Sequence, residues 1–252
     1  MSTLKSLNHT VISVTYWVGS IGEIFDSGPE VGVSTSNGKA YFLITSLLKR
    51  LGFPFIDVLP RPQPQMRNDC FSNSAPYVER NIKVIITTRR EHVQFYGPAV
   101  ICIEDIGDDS GIARAKILSF LYPAKPYDWF IIGIDPGKRT GVAAFMNHRE
   151  VESSVVQSFD ETISRVCALI DNSPDIQKVV KIGSGNKYLA EKIALILDSR
   201  YHDEIRIQLV NESGTSSLSR KRGKSSMTGT RDQRAAKLIA FRDGQDFIQA
   251  QA

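Results

Sequence analysis

The chain has 252 residues, 42% of them hydrophobic, so it can bury a sizeable core and has the length of one large or two small domains. Its three cysteines are far apart and its four histidines are scattered, which leaves a disulfide framework, a zinc finger or a histidine-rich metal site without support. The net charge of +4 is compatible with a nucleic-acid partner without requiring one. No apolar run is long enough to span a bilayer and residues 1–8 lack the order of a secretory signal, so we expect a cytoplasmic protein with no membrane partner.

The first half of the chain predicts a small α/β domain over residues 1–125, with a role in substrate positioning or dimerisation. Four acids, Glu104, Asp105, Asp108 and Asp109, follow its last strand, where they could hold a metal or, as is commoner for loop acids, cap the next helix. The predicted strands are 11–18, 53–59, 81–87 and 99–103, the helices are 39–51 and 110–121, the loop is 61–76 and the linker is 122–126.

The second half, residues 126–252, follows a regular order of elements. Three strand-like runs predict an antiparallel meander, and helices and strands then alternate, which is typical of an α/β fold with a mixed sheet. Thr230 is a good N-cap for the final helix, whose Ala235, Leu238 and Ile239 are predicted to face inward. The predicted strands are 130–134, 140–146, 151–159, 178–182 and 205–210, and the helices are 160–171, 186–198 and 230–242.

Asp135 stands at the end of the apolar run 130–134, directly before the turn residues Pro136 and Gly137. A carboxylate at the end of a buried strand is unusual unless it is paired or holds a metal. The alternative is an acid that only caps the turn through its own backbone, because Asp-Pro-Gly is good turn chemistry. Partner carboxylates elsewhere in the chain decide between the two.

Four motifs in order make residues 128–243 resemble the RuvC/YqgF branch of the ribonuclease H-like superfamily. Residues 134–137 are similar to the opening of the RuvC resolvases, and the fuller run 135–143 (DPGKRTGVA) is closer to YqgF. The other three motifs are 181–186 (KIGSGN), 210–216 (VNESGTS) and 231–236 (RDQRAA). This resemblance implies a five-stranded mixed sheet with flanking helices and a nuclease site.

In that fold Asp135, Glu212 and Asp232 would converge at one edge of the sheet, where sites of open α/β sheets lie. Three close carboxylates repel unless a cation joins them, and oxygen ligands favour Mg²⁺ or Mn²⁺. The expected reaction is metal-dependent hydrolysis of a phosphodiester backbone. The stretch 181–186 lacks the fourth-strand acid of the RuvC resolvases, so the layout is YqgF-like. Taken singly, Glu212 is more simply explained as a solvated strand-end acid and Asp232 as a favourable charge in the first turn of a helix, but together with Asp135 these explanations lose weight.

A basic stretch lies between Glu212 and Asp232, and it contains no acid. It predicts contact with backbone phosphates beside the metal site, although most charge runs are only solvated surface. The predicted nucleic-acid-binding residues are Lys138, Arg139, Arg220, Lys221, Arg222, Lys224 and Arg231. We expect a homodimer acting on branched DNA such as a Holliday junction. The alternatives are RNA processing of the YqgF kind and a non-catalytic nucleic-acid-binding module.

Overall fold

The computed structural model describes residues 29–58, 81–92, 97–123, 125, 128–174, 176–211 and 228–247. The chain divides into two compact units, Met1–Asp105 and Ile106–Ala252. The helix over residues 110–121 is therefore grouped with the second unit, whereas the sequence-based boundary lies after it, at residue 125. The predicted strand 11–18 and loop 61–76 lie outside the described residues.

The described part of the first unit contains a four-stranded parallel sheet in the order β2-β1-β3-β4. Helix α1 is capped by Asn37, whose side chain accepts the backbone N–H groups of Lys39 and Ala40, and it ends at Gly52, whose φ of 76° suits glycine. Strand β1 was not predicted, because three residues with a central glycine give no pattern. The elements are β1 (Val31–Val33), α1 (Gly38–Leu51), β2 (Phe55–Asp57), β3 (Val84–Thr87), β4 (Ala99–Cys102) and the one-turn helix α2 (Ile103–Ile106) at the boundary.

The second unit is an α/β fold with a six-stranded mixed sheet in its described part, in the order β10-β9-β8-β5-β6-β7. Strands β5, β8 and β9 are parallel, and β5, β6 and β7 form the predicted antiparallel meander. The fold class and element order are confirmed, with the sixth strand as an addition. The elements are α3 (Ser110–Leu121), β5 (Trp129–Asp135), β6 (Thr140–Met146), β7 (Arg149–Val156), α4 (Phe159–Asp171), β8 (Gln177–Gly183), α5 (Lys187–Tyr201), β9 (Ile205–Val210), α6 (Arg231–Ala240) and β10 (Gln245–Asp246).

An ionic cluster joins α3, β7 and α4. The guanidinium of Arg165 donates to Glu152 Oε1 at 2.7 Å and to Asp109 Oδ2 at 2.6 Å, and its side chain is only 19% exposed. Asp109 also caps α3 by accepting the N–H of Ile112 at 2.9 Å. The hydrogen bond from Arg165 holds the pKa of the Asp109 carboxyl below its ordinary value. The predicted capping role of Asp109 is thus confirmed.

Strand β10 closes one edge of the sheet by pairing antiparallel with β9. Asp246 accepts two hydrogen bonds from the Arg206 guanidinium, both at 2.7 Å, and one from Gln208 at 3.0 Å. The bond from Arg206 is the main reason that the pKa of Asp246 falls to about 2.

No helix in the described part of the chain has the length and apolar character needed to cross a membrane.

Candidate functional site

Asp135 is the last residue of β5, and its backbone pairs with Gly141 of β6. Side chains alternate along a strand, so Asp135 points to the same face of the sheet as Gly133, two residues earlier. Ile132 and Ile134 point to the opposite face and are almost fully buried. Asp135 therefore carries its carboxylate at the carboxyl end of a core strand, where it is partly exposed.

Helix α6 lies directly on the backbone of β5 and β6. A methyl group added at Gly141 would lie 2.2 Å from the carbonyl oxygen of Asp232, and one added at Gly133 would lie 2.2 Å from that of Ala236. Any larger residue at either position would clash with the helix backbone, because 2.2 Å is far shorter than any contact between a carbon and an oxygen that are not bonded to each other. Gly133 and Gly141 together form what we call the seat of α6.

The seat fixes the register of α6 on the sheet. Asp232, Ala236 and Ala240 are four residues apart, form one stripe of the helix and meet the seat. Asp232, at the start of the stripe, lies over Gly141, and Gly141 is the direct partner of Asp135. The structure therefore brings Asp135 and Asp232 to the same edge and the same face of the sheet.

The first turn of α6 is fixed by a second set of contacts. Thr230 and Gln233 form a capping box, and the Gln233 side-chain amide donates to the Ser153 carbonyl of β7 at 2.7 Å. The ammonium of Lys237, a residue only 3% exposed, donates to Glu150 Oε2 at 2.7 Å. Asp232 is consequently held by a helix whose start is bonded to the neighbouring strand.

The inward face of α6 differs from the prediction. Leu238 was expected to face the core and is 43% exposed, which corrects that prediction, whereas Ile239 is buried as expected. The reason is the seat: the helix approaches the sheet through Ala236 and Ala240, and this rotates Leu238 outward. Apolar periodicity cannot identify a contact face built from alanine and aspartate.

The negative charge of the Asp232 carboxylate is only partly balanced by its neighbours. The Arg139 guanidinium has Nη2 2.8 Å from Asp232 Oδ2, which makes an ion pair. Oδ2 is nevertheless buried and accepts no hydrogen bond from any group in the described residues, so the pair lacks hydrogen-bond geometry. The Asp232 side chain is 20% exposed and that of Arg139 is 61% exposed. The helix N-terminus adds positive potential at the same carboxylate.

The two described carboxylates fit a hard divalent cation. Mg²⁺ binds through one or two carboxylates together with waters and substrate phosphate, and a buried carboxylate oxygen without a hydrogen bond is suited to such a ligand role. Glu212, the third predicted ligand, lies outside the described residues, as do Arg220, Lys221, Arg222 and Lys224. Within the described ranges, no three acids, histidines or cysteines come close enough to form a metal site.

The ends of β8 and β9 complete the edge. Gly183 pairs with Val210, one position beyond the Ile134–Ile182 pairing that joins β8 to β5. Three parallel strands therefore end side by side, at Asp135, Gly183 and Val210, which is the expected place for a site in an open α/β sheet. The run that begins at Lys181 supplies no acid to this edge, as the sequence indicated.

Lys181 contacts the chain just after the C-terminal end of α6. It pairs with Gly133 across the sheet, so it lies on the face of the seat, and its ammonium donates to the Arg242 carbonyl at 2.6 Å. Partial burial lowers its pKa, an effect that Asp243 opposes. A cation at the C-terminal end of a helix is favourable, so Lys181 holds the far end of the helix that carries Asp232.

The comparisons with known proteins add little to this geometry. No protein-family model matches the chain, and no curated protein matches it either. Among solved structures, it is similar to a crystal structure of Aa-Ago, an Argonaute, with externally bound siRNA, at 11% identity and a TM-score of 0.24. The match covers 73% of this chain and 35% of that chain.

Three described acids of the first unit, Glu91, Glu104 and Asp105, are engaged in local contacts. Glu104 accepts the backbone N–H of Arg89 at 3.1 Å, and Asp105 forms an ion pair with the Arg89 guanidinium. Glu91 accepts hydrogen bonds from Thr35, from the backbone and hydroxyl of Ser36, and from Thr88. Hydrogen bonds to the charged form, chiefly from Ser36, lower the pKa of Glu91 to about 2. Each of the three acids therefore has a hydrogen-bond or ion-pair partner within the first unit.

Sequence reasoning missed the seat and the ion pair of Arg139. Glycine inside a strand is a signal of close backbone approach, and Gly133 and Gly141 could have been read in that way. Arg139 was predicted to contact nucleic acid, and the structure pairs it with Asp232. Lys138 and Arg231, the other two described residues of that prediction, are exposed.

Proposed function

We propose that the chain is a metal-dependent endonuclease that hydrolyses phosphodiester bonds in structured nucleic acid, with branched DNA as its substrate. One observation carries this proposal: Asp232 lies at the same carboxyl edge and on the same face of the sheet as Asp135, with its Oδ2 buried and without a hydrogen bond in the described part of the chain. The resemblance of residues 128–243 to RuvC/YqgF nucleases supports the same reading.

The roles of the residues follow from their chemistry. Asp135 and Asp232 would hold Mg²⁺ or Mn²⁺, with Glu212 as the third ligand. A divalent cation bound there would activate water and stabilise charge on the phosphodiester oxygens. Asp135 projects from a core strand and Asp232 from a helix bonded to β7, so the backbone positions of the two carboxylates are fixed before the cation binds.

Positively charged side chains around these acids would bind the phosphates of the substrate. Lys138 and Arg231 are exposed at or beside the same edge and can neutralise phosphates of an approaching strand. Residues 220–224, which precede α6 in the chain, would add to them. A branched junction has two strands to cut, and a homodimer would supply one site for each.

A cleavage assay tests the proposal. Labelled four-way junction, linear duplex DNA and structured RNA are incubated with the protein in EDTA, Mg²⁺ or Mn²⁺. We expect cleavage that requires a divalent cation and favours the junction. Preferred RNA cleavage would replace the DNA proposal with RNA processing, and binding without cleavage of any substrate would favour a non-catalytic module.

A pair of variants assigns the chemistry to the edge. Asp135→Asn should abolish cleavage and leave substrate binding nearly unchanged, because it removes a metal ligand without removing a phosphate contact. The matched control is Asp203→Asn, which removes one exposed acid from the turn before β9, at the opposite end of that strand. Equal activity of the two variants would remove Asp135 from the catalytic assignment.

A further inference from the structure

We infer that Arg139 is an internal competitor of the divalent cation: its guanidinium occupies the approach to Asp232 and must leave when the cation binds. This inference rests on the proposed function of the edge. It goes beyond that proposal because it gives Arg139 a role in setting metal affinity, in place of simple contact with phosphate.

The contact itself is the first step of the inference. Arg139 Nη2 lies 2.8 Å from Asp232 Oδ2, the same buried oxygen that accepts no hydrogen bond within the described residues. A Mg²⁺ ion bound by that oxygen would lie about 2.1 Å from it. The guanidinium and the ion would then be two like charges in close contact, so one excludes the other.

The balance between them can be reversed because the pair is weak. The Arg139 side chain is 61% exposed, and its position just before Thr140 puts it in the turn between β5 and β6. The guanidinium is well solvated once the pair separates, and the contact lacks hydrogen-bond geometry, so the pair contributes little to stability. The guanidinium can therefore hold Asp232 in the cation-free protein and still give way to a divalent ion.

Lys138 provides the matched control. It is the neighbouring residue in the same turn, carries the same charge, is exposed, and forms no ion pair with any described residue. Replacing either residue by glutamine removes one positive charge near the site and strengthens metal binding through the general potential. Only the replacement of Arg139 also removes the competitor.

The experiment is a titration of the full chain with Mn²⁺, followed by isothermal calorimetry and by the electron paramagnetic resonance signal of free Mn²⁺. Arg139→Gln should bind Mn²⁺ about three- to fivefold more tightly than the wild type, and Lys138→Gln less than about twofold more tightly. Arg139→Lys, which keeps the charge without the planar fork, should fall between Arg139→Gln and the wild type. Thermal melting confirms that each variant is folded.

Two outcomes separate this inference from the proposed function. If wild-type protein binds no Mn²⁺ that Asp135→Asn weakens, the metal site itself is wrong and the inference fails with it. If wild-type protein binds Mn²⁺ through Asp135 but Arg139→Gln binds no more tightly than Lys138→Gln, only the competition by Arg139 is overturned.

Discussion

Gly141→Ala is the most direct test of how the site is built. The added methyl carbon would lie 2.2 Å from the Asp232 carbonyl oxygen and 3.2 Å from the Ala236 side chain. The start of α6 would have to withdraw by about 1 Å or more to restore an ordinary contact distance. Backbone strain contributes nothing, because Gly141 lacks the positive φ that favours glycine.

The expected cost has two parts. Overpacking of a tight contact destabilises a protein by about 1–3 kcal/mol, which for a unit of this size lowers the melting temperature by roughly 2 to 12 °C. A displacement of a metal ligand by about 1 Å can reduce a reaction rate on the order of 100-fold. Gly141→Ala should therefore lower both the melting temperature and the cleavage rate, together with Mn²⁺ affinity.

Two other alanine variants separate the loss of stability from the displacement of the metal ligand. Gly133→Ala meets the helix at Ala236 and Ala240, one and two turns after Asp232, so it should cost similar stability with less loss of metal affinity. Gly38→Ala has no atom within 4 Å of the new methyl group and should leave stability unchanged or slightly raised. Thermal melting by circular dichroism and Mn²⁺ titration measure both quantities. Wild-type stability of Gly141→Ala would refute the close seat.

Two further predictions concern charges away from the edge. Glu91→Gln should destabilise the first unit by about 1–2 kcal/mol at pH 7, because four hydrogen bonds lose a charged acceptor that is partly exposed. Since the pKa of Glu91 falls from 4.5 to about 2 on folding, its stabilisation is complete above pH 4.5 and disappears as the pH falls towards 2. Urea unfolding of both proteins across that range should show the difference narrowing, and a constant difference would contradict the charge assignment. Arg165→Met should destabilise the second unit by about 2–4 kcal/mol at pH 7, because Asp109 and Glu152 lose their shared cation in a partly buried cluster. Without Arg165 the pKa of Asp109 is no longer held down, so the carboxyl takes up a proton more readily and the difference from wild type should shrink in mild acid; a loss independent of pH would assign the effect to packing alone.

Patterns of apolar residues were sufficient for most of the second unit. Strands β6 and β9 and helix α3 have the predicted bounds, and Asp109 and Thr230 are the predicted caps. These elements are long enough for their periodicity to be visible, and their caps obey local chemistry. Strand β10 was missed because two residues carry no period.

The candidate site was predictable only in part. Asp135 stands out because a strand-end acid conflicts with burial, and Asp232 because it opens a capped helix. The convergence of Asp135 and Asp232 depends on Gly133 and Gly141, which let α6 approach the sheet because they have no side chain. Residue-type preferences do not reveal which helix will pack against two strand glycines. The pairing of Arg139 with Asp232 joins residues far apart in the chain, and only the fold brings them together.

The short strand β10 has a consequence for assembly. An unpaired strand edge is a template for another chain, and β9 would present one if it were the last strand of the sheet. The backbone of Gln245–Asp246 pairs with β9 at Leu209 and Gln208, and the N–H of Phe247 continues the cover at Ile207. In the described part of the chain, this edge of the sheet is therefore the two-residue strand β10 with the carboxylate of Asp246 on it, and so short and charged a strand is a poor template for another chain.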